Sequence, residues 1–356
     1  QDYRVTDNVR IRSDWSDLKI HWENLDLILS EQGSSLLKLK SLFENLDESI
    51  FEGDDNVIAE LDSCLHANLQ LRDRLNEFVY SPSISNIYWI NYRSSNDDIN
   101  INSAPLHVGA DLEKLLFSRK DTVILTGATL STNENFNYIV ETTGFRNAKE
   151  ILLGSPFNYH EAALICVPSN MPVPNAAAYQ STLESIIKEA VLSANGHTMV
   201  LFTSHAALRS TANSIRRDLE LQGINLLAQG IDGAPRQLTT NFIKSPQALL
   251  MGTASFWEGV DLPDNSLKVL IVARLPFNVP TDPVFSARSE LYDNPFNFYT
   301  IPQAILRLRQ GFGRLIRTGN DKGVAILLDG RLTSMKYGRS FLDSLPQGTF
   351  SFCDFK

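Results

Sequence analysis

The chain has 356 residues, enough for about two domains at roughly 150 residues each and for a full hydrophobic core. Its 43% hydrophobic and 21% charged residues exclude disordered and collagen-like classes, and no run of 18 apolar residues marks a membrane span. A net charge of −9 argues against a surface coated with nucleic acid, but residues 1–100 hold 9 Lys/Arg against 19 Asp/Glu while residues 101–356 hold 23 against 22, so two differently built parts are expected.

Leu18, Trp22, Leu25 and Leu29, then Leu36, Leu39, Leu42 and Leu46, follow helical spacing and predict a helix over 16–48, with Gly33-Ser34-Ser35 as a kink or break. Asp54 or Asp55 caps a second helix with Val57, Leu61, Leu65, Leu69, Leu75, Phe78 and Val79 on its apolar side, and Pro82 ends it. Two acidic amphipathic helices over 1–85 predict an antiparallel hairpin: a solvated helical subdomain or, in a sharper reading, a partner-binding or strand-separating arm. From residue 86 the pattern changes. Ile87–Tyr92 is a strand, and short apolar runs follow at Thr122–Leu125, Ala163–Val167, Thr198–Phe202, Ala248–Met251, Lys268–Val272 and Gly323–Leu328. Such runs suit strands covered on both faces. Helical patterns at 177–194, 205–222, 234–244 and 300–317 lie between them, with a Pro-containing loop at Met171–Asn175. The alternation predicts an α/β fold with a parallel sheet and helices on both faces. No internal repeat is visible.

Cys64, Cys166 and Cys353 show neither metal-ligand spacing nor a disulfide framework, so a reducing cytoplasm is the expected compartment. The absence of a signal peptide agrees, and Gln1 in a polar run reads as the start of an excised piece.

Chemistry concentrates in four segments. Gln310-Gly311-Phe312-Gly313-Arg314-Leu315-Ile316-Arg317 follows Arg307 and Arg309, and no acid occurs between residues 294 and 320. Four arginines in eleven residues need anionic partners. On a helix Arg314 and Arg317 share a face, and their planar forks suit phosphate oxygens. Gly252-Thr253-Ala254-Ser255-Phe256-Trp257-Glu258-Gly259-Val260-Asp261 follows an apolar run. It therefore lies at the carboxyl end of a strand, where open α/β sheets bind ligands. Thr126-Gly127-Ala128-Thr129-Leu130 and Leu201-Phe202-Thr203-Ser204-His205 occupy two further strand ends. Ser204 can equally be a helix cap, and His205 reads as a capping or surface residue rather than a catalytic base.

Together these segments resemble the motifs of superfamily 2 helicases of the DinG/XPD family. Thr126–Leu130 resembles motif III, Leu201–Ser204 motif IV and Gly252–Asp261 motif V, while Gln310–Arg317 fits motif VI at every fixed position. Arg274-Leu275-Pro276-Phe277, with Pro280, Asp282 and Pro283, resembles the connection after motif V. The wording is closer to bacterial DinG than to XPD. The resemblance covers roughly residues 86–345 and implies an arch-like insertion over 1–85, the end of a first RecA-like motor domain over 86–152, and a second RecA-like motor domain over 153–356.

It also implies that Arg314 and Arg317, assisted by Gln310, reach nucleotide phosphates. Gly252, Thr253, Glu258, Gly259 and Asp261 would bind nucleotide and couple it to the strand, with Thr126 and Thr129 in coupling. Thr203, Ser204 and Phe277 would meet DNA, and Phe157, Tyr159 and Phe298 are further aromatics, of which Phe298 reads as core. Neither Gly-x-x-x-x-Gly-Lys-Ser/Thr nor Asp-Glu-x-His occurs. ATP and Mg²⁺ would thus be held mainly by sequence upstream of Gln1, and so would any iron–sulfur cluster, whose presence stays open.

The implied activity is that of the C-terminal part of an ATP-dependent DNA helicase, moving 5′ to 3′ on single-stranded DNA in DNA repair. Its partners would be that strand and the rest of the same polypeptide, with no membrane. Two alternatives stand beside it: a non-motor DNA- or partner-binding module, nuclease-linked as in some relatives, and an unrelated α/β protein whose arginines bind a partner.

Overall fold

In a computed structural model describing residues 2–45, 54–93, 96–132, 135–245, 247–258, 262–263 and 266–354, the N-terminal periodicity becomes one unbroken helix, α1 (Ser13–Glu44). The expected break at Gly33-Ser34-Ser35 does not occur. The Ser34 and Ser35 hydroxyls donate back to the Ser30 and Glu31 carbonyls, at 3.0 and 2.9 Å. Gly33 is where the second helix, α2 (Asp54–Val79), comes close: a Cβ there would sit 3.2 Å from Asn68 Oδ1. The cap expected from Asp54 or Asp55 involves side chains outside the described residues. The helices run antiparallel, since Arg72 meets Asp26 at 2.7 Å, Asn68 donates to the Leu29 carbonyl at 3.0 Å, and Lys40 meets Asp62 at 2.5 Å. The hydrogen bond from Arg72 holds the Asp26 carboxyl below the usual carboxylate range. The exposed Lys40–Asp62 pair sets register more than it stabilises.

The hairpin stands on a small core of Val5, Trp15, Trp22, Phe78, Val79 and Tyr88. There the Trp15 indole donates to the Val79 carbonyl at 3.2 Å. Beneath it lie three antiparallel strands, β1 (Asp2–Val5), β2 (Asn86–Arg93) and β3 (Asp98–Pro105), in the order β1-β2-β3. The strand read at 87–92 is thus the centre of an antiparallel sheet, not a member of the parallel one. Residues 280–290 group with this unit, which comprises 1–108 and 280–290. Arg4 grips Glu290 bidentately at 2.5 and 2.9 Å, and Arg288 donates to the carbonyls of Leu106 and Pro105 at 3.2 and 3.0 Å.

The second unit, 109–279 with 291–356, holds the continuous apolar runs. Seven strands form one sheet: β4 (Ala163–Pro168), β5 (Thr198–Leu201), β6 (Asn225–Ala228), β7 (Ala248–Gly252), β8 (Val269–Val272), β9 (Gly323–Leu327) and β10 (Thr349–Cys353). All are parallel, in the order β10-β4-β9-β8-β5-β7-β6. Alternation sends Val200 and Phe202 to one face, under α3 (Tyr179–Ser193) and α4 (His205–Glu220). Met199 and Leu201 go to the other, under α5 (Pro235–Lys244), α7 (Ile301–Phe312) and α8 (Gly338–Ser344). A five-residue helix, α6 (Ala254–Glu258), follows β7. This is the expected RecA-like sheet with helices on both faces.

Two expectations fail here. Thr122–Leu125 forms no strand, so Thr126–Leu130 does not follow one, because nothing in the described chain pairs with that run. The helix expected over 300–317 stops at Phe312. Arg314 and Leu315 close three-residue turns onto Gly311 and Phe312, at 3.1 and 3.0 Å, so Arg314 and Arg317 lie beyond the helix and share no helical face. Among the described residues no helix is long and apolar enough to cross a membrane.

Phe78 is 2% exposed at the foot of the hairpin. Phe78→Ala is expected to cost the first unit about 3–5 kcal/mol, seen as a lower urea midpoint in its helical circular dichroism signal.

Candidate functional site

The site is built where β5 and β7 end. β7 stops at Gly252, over which the Phe256 ring folds back so closely that a Cβ would lie 2.1 Å from Phe256 Cδ2. Glycine is required there by space, not by backbone angle. Thr253 and α6 follow, with Trp257 buried and its indole donating to the Phe202 carbonyl beyond β5 at 3.0 Å. α7 then packs on the same ring: a Cβ on Gly311 would meet Leu201 Cδ1 and Trp257 Cε3, each at 2.9 Å. Residues 201–202, 252–257 and 311, remote in sequence, are thereby brought together as expected from a strand-end site.

The arginines fan out from this contact. Arg307 Nε lies 3.4 Å from Glu258 Oε1, and its Nη1 donates to Asn278 Oδ1. Arg309 donates to the carbonyls of Ser131 at 2.5 Å and Ala128 at 3.1 Å, which ties α7 to the Thr126–Leu130 segment. Arg314 Nη2 reaches the Trp257 carbonyl at 3.4 Å, and Arg317 Nη1 the Leu262 carbonyl at 3.0 Å. The expectation that these arginines need anionic partners is met at Arg307, whereas Arg309 is satisfied by neutral carbonyls. Burial pulls the guanidinium pKa of Arg309 and of Arg314 below the usual value. Both groups stay charged, and a charged group held partly out of water favours an incoming anion. Asp321, which sequence reasoning passed over, accepts the Arg317 and Thr318 amides at 2.9 and 2.8 Å and pins the turn behind the arginines.

Thr253 is 4% exposed and its polar atoms are all bonded. Its N–H and hydroxyl donate to Gln229 Oε1 at 2.7 and 3.0 Å, and its Oγ1 lies 3.1 Å from His205 Nε2. Gln229 carried no motif, and its signal in the sequence was only its place after the short apolar run 226–228. Ser204 caps α4, accepting the Ala207 amide at 3.5 Å, and Thr203 is half-buried beside it. Phe277 is half-buried among aromatic rings, stacked on Phe296 at 6.0 Å with the Arg331 guanidinium 5.0 Å from its centroid. Arg331 is in turn gripped by buried Asp329 at 2.9 and 2.6 Å. Phe157 and Tyr159 pack partly buried on the sheet core. Phe298, expected in the core, is 63% exposed, because the turn before α7 sends its neighbour Tyr299 inward instead. Thr126 is exposed and Thr129 half-buried on the segment that Arg309 holds. Gly259 and Asp261 lie outside the described residues.

Arg314 and Arg317 suit phosphate oxygens. Beside them Gln310 Oε1 is buried without a hydrogen-bond partner, an acceptor that a hydroxyl or water of a bound nucleotide would satisfy. Among the described residues no group of three or more His, Cys, Asp or Glu side chains is placed to hold a metal ion.

Comparison with known proteins gives a family and a set of relatives for the chain. The helicase C-terminal domain family matches residues 187–348. A 3′-5′ exonuclease DinG of Bacillus subtilis (strain 168) is 36% identical over 272 residues, 74% of this chain and 29% of the relative. An ATP-dependent DNA helicase YoaA of Escherichia coli (strain K12) is 35% identical over 294 residues, 81% of this chain and 45% of the relative. A YoaA helicase of Haemophilus influenzae (strain ATCC 51907 / DSM 11121 / KW20 / Rd) is 31% identical over 365 residues, 98% of this chain and 53% of the relative. The chain thus spans about half or less of these relatives. A solved XPD helicase superposes with a TM-score of 0.55 at 15% identity, covering 84% of this chain and 54% of that one, a likeness of fold.

Gly311→Ala is expected to cost about 1–3 kcal/mol by forcing Leu201 and Trp257 aside, measured by urea unfolding.

Proposed function

We propose, for a chain that carries a helicase C-terminal domain over residues 187–348 and is similar to DinG and YoaA helicases, that it is the C-terminal part of a DinG-like, ATP-dependent DNA helicase. Coupled to ATP hydrolysis, the whole protein moves 5′ to 3′ along single-stranded DNA in the cytoplasm. The observation that carries this reading is the packing of Gly311 against Trp257, which seats Arg314 and Arg317 beside the end of β7. In phosphoryl transfer such arginines stabilise charge on the transferred group. Arg314 and Arg317, with Gln310, act on the phosphates of ATP, whose Mg²⁺ is bound mainly by the rest of the polypeptide. Gly252, Thr253 and Glu258, continuing through Gly259 and Asp261, bind nucleotide and couple it to the strand. Thr126 and Thr129 join that coupling through the grip of Arg309. Thr203, Ser204 and Phe277 meet DNA.

The domain reading is an arch-like insertion over 1–85, the end of a first motor domain over 86–152 and a second motor domain over 153–356. One feature supports the middle assignment. Ile124 is 81% exposed, and Leu125, Ile151, Leu152 and Leu153 are exposed as well, on extended segments that line an apolar cleft of about 480 Å³. Apolar runs of this kind belong inside a sheet. The first motor domain would supply it. The chain by itself therefore hydrolyses no ATP.

A second reading, a nuclease-linked module without motor function, is favoured by the Bacillus relative, which is named as an exonuclease.

Arg314→Ala in the full-length protein separates the two. The helicase reading expects DNA-stimulated ATPase to fall by roughly 10³-fold or more, the lower end for an arginine finger. Unchanged ATPase would overturn it. Residues 1–356 alone are expected to show ATP turnover at background, and a rate above background would overturn the claim that the rest of the polypeptide is needed.

A further inference from the structure

The seven-stranded sheet is covered unevenly. On one face Ala163, Ile165 and Val167 of β4 and Ala325 and Leu327 of β9 are at most 3% exposed. The residues between them point to the other face, where Leu164 is 38% exposed and Cys166, Val324 and Ile326 are only half-buried. Register keeps these side chains together. Leu164 lies beside Val324 and Thr349, and Cys166 beside Ile326 and Ser351. Among the described residues, the apolar cluster on this face takes helical side chains from α3 and α4 alone. α3 packs on β8, and α4 on β6 and β7. The stretch β10-β4-β9 is left over.

Parallel sheets occur with both faces covered. The open stretch has the dimensions of one missing element. Three strands at about 4.8 Å spacing are about 10 Å across, the diameter of one α-helix. β9 and β10 have five residues each, and a strand of that length runs about 16 Å, as do about 11 residues of helix. Ala190 and Ala194 at the end of α3 form one wall of the resulting cleft, whose volume is about 700 Å³. It opens at the amino ends of β4, β8 and β9, the edge of the sheet opposite Gly252 and Thr253.

The rim of the cleft carries charge. Lys268 and Lys322 stand just before β8 and β9, which are joined there by the Val324 amide donating to the Lys268 carbonyl at 2.8 Å. Both lysines are exposed, and neither meets a carboxylate among the described residues. Glu161 is the one acid among the described residues that line the cleft. An apolar floor beside two unmatched cations is complementary to an apolar stripe that ends in acids.

We propose that this open face is the docking site for an amphipathic helix of a partner protein. The helix is about three turns long, lays its apolar stripe on Leu164, Val324 and Ile326, and sets acidic residues on Lys268 and Lys322. A small anion would need only the lysines, and the apolar floor is what calls for a helix. None of these residues belongs to the four motifs, so the face stands or falls separately from the helicase reading.

The test uses full-length protein and a display library of peptides about 14 residues long, with apolar residues fixed at i, i+3, i+4 and i+7 and the other positions varied. Peptides selected on the wild type are expected to gather Asp and Glu toward one end. A selected peptide, labelled with fluorescein, should lose at least about tenfold in affinity for Leu164→Glu, which places a charge on the apolar floor. Lys268→Glu combined with Lys322→Glu should cost at least about tenfold as well, by setting like charges against each other. Both lysines are exposed, so the double variant tests the face even where Leu164→Glu disturbs the sheet. The double variant should also prefer the same peptide with lysines in place of its acids, a reversal that unfolding cannot produce. A library that yields no binder, as when the rest of the polypeptide covers the face, would overturn the inference. So would binders that hold equally to the wild type and the double variant. In sedimentation velocity, a concentration-dependent wild-type dimer that Leu164→Glu abolishes would assign the face to a second copy of the chain and overturn it too.

Discussion

The approach of α7 to the end of the parallel sheet is limited by one missing side chain. Gly311 lies against Leu201 and the face of Trp257, and a methyl there would strike both. Gly252 plays the same part beneath Phe256. Both clashes fall on buried side chains, which have no solvent into which to retreat. The indole N–H of Trp257 then satisfies the Phe202 carbonyl, which lies just past the last residue of β5. Packing, strand-end hydrogen bonding and the position of Arg314 thus depend on one contact among three segments that are distant in the chain.

The electrostatics follow from that geometry. Arg309 is held by carbonyl oxygens, which satisfy its donors but carry no net charge, so its positive charge is not cancelled by them. The Arg307–Glu258 contact at 3.4 Å is solvent-exposed on both sides and contributes little. A chain with a net charge of −9 can therefore hold a locally cationic site. Attraction is screened beyond about 10 Å at ordinary ionic strength, so the charges around α7 matter more to that site than the total charge of the chain.

The fold class was legible in the sequence because strands covered on both faces are continuous apolar runs, as at Val269–Val272 and Ala248–Gly252. The four strands that escaped, β1, β3, β6 and β10, are all sheet edges. In β3 the edge reads as Asp98, Asn100, Asn102 and Ser103 on largely exposed positions, a polar pattern that signals a loop as readily as a strand. Thr122–Leu125 erred in the opposite sense. It has the composition of an inner strand, but strand structure needs a partner, and no described segment pairs with it. The motif residues stood out through arginine spacing and through the resemblance to helicase motifs. Gln229 and Asp321 were missed because each acts on a backbone amide, and a single Gln or Asp with that role looks like any other polar residue in a turn.

Thr253 immediately precedes α6 and Trp257 lies four residues on, so the Thr253 hydrogen bonds and the arginine contact are about 6 Å apart along the chain's helical rise. Phe256 and Trp257 are both buried in the same core, which leaves this short helix no room to flex. One end of this segment is held by the hydrogen bonds from Thr253 to Gln229, and the other by Trp257, whose carbonyl meets Arg314. A shift at one end must then be taken up at the other, because Gly252 and Gly311 already sit at contact distance. Coupling of this kind needs no long pathway: it needs only a rigid element with ligand groups at both ends and no slack in its packing.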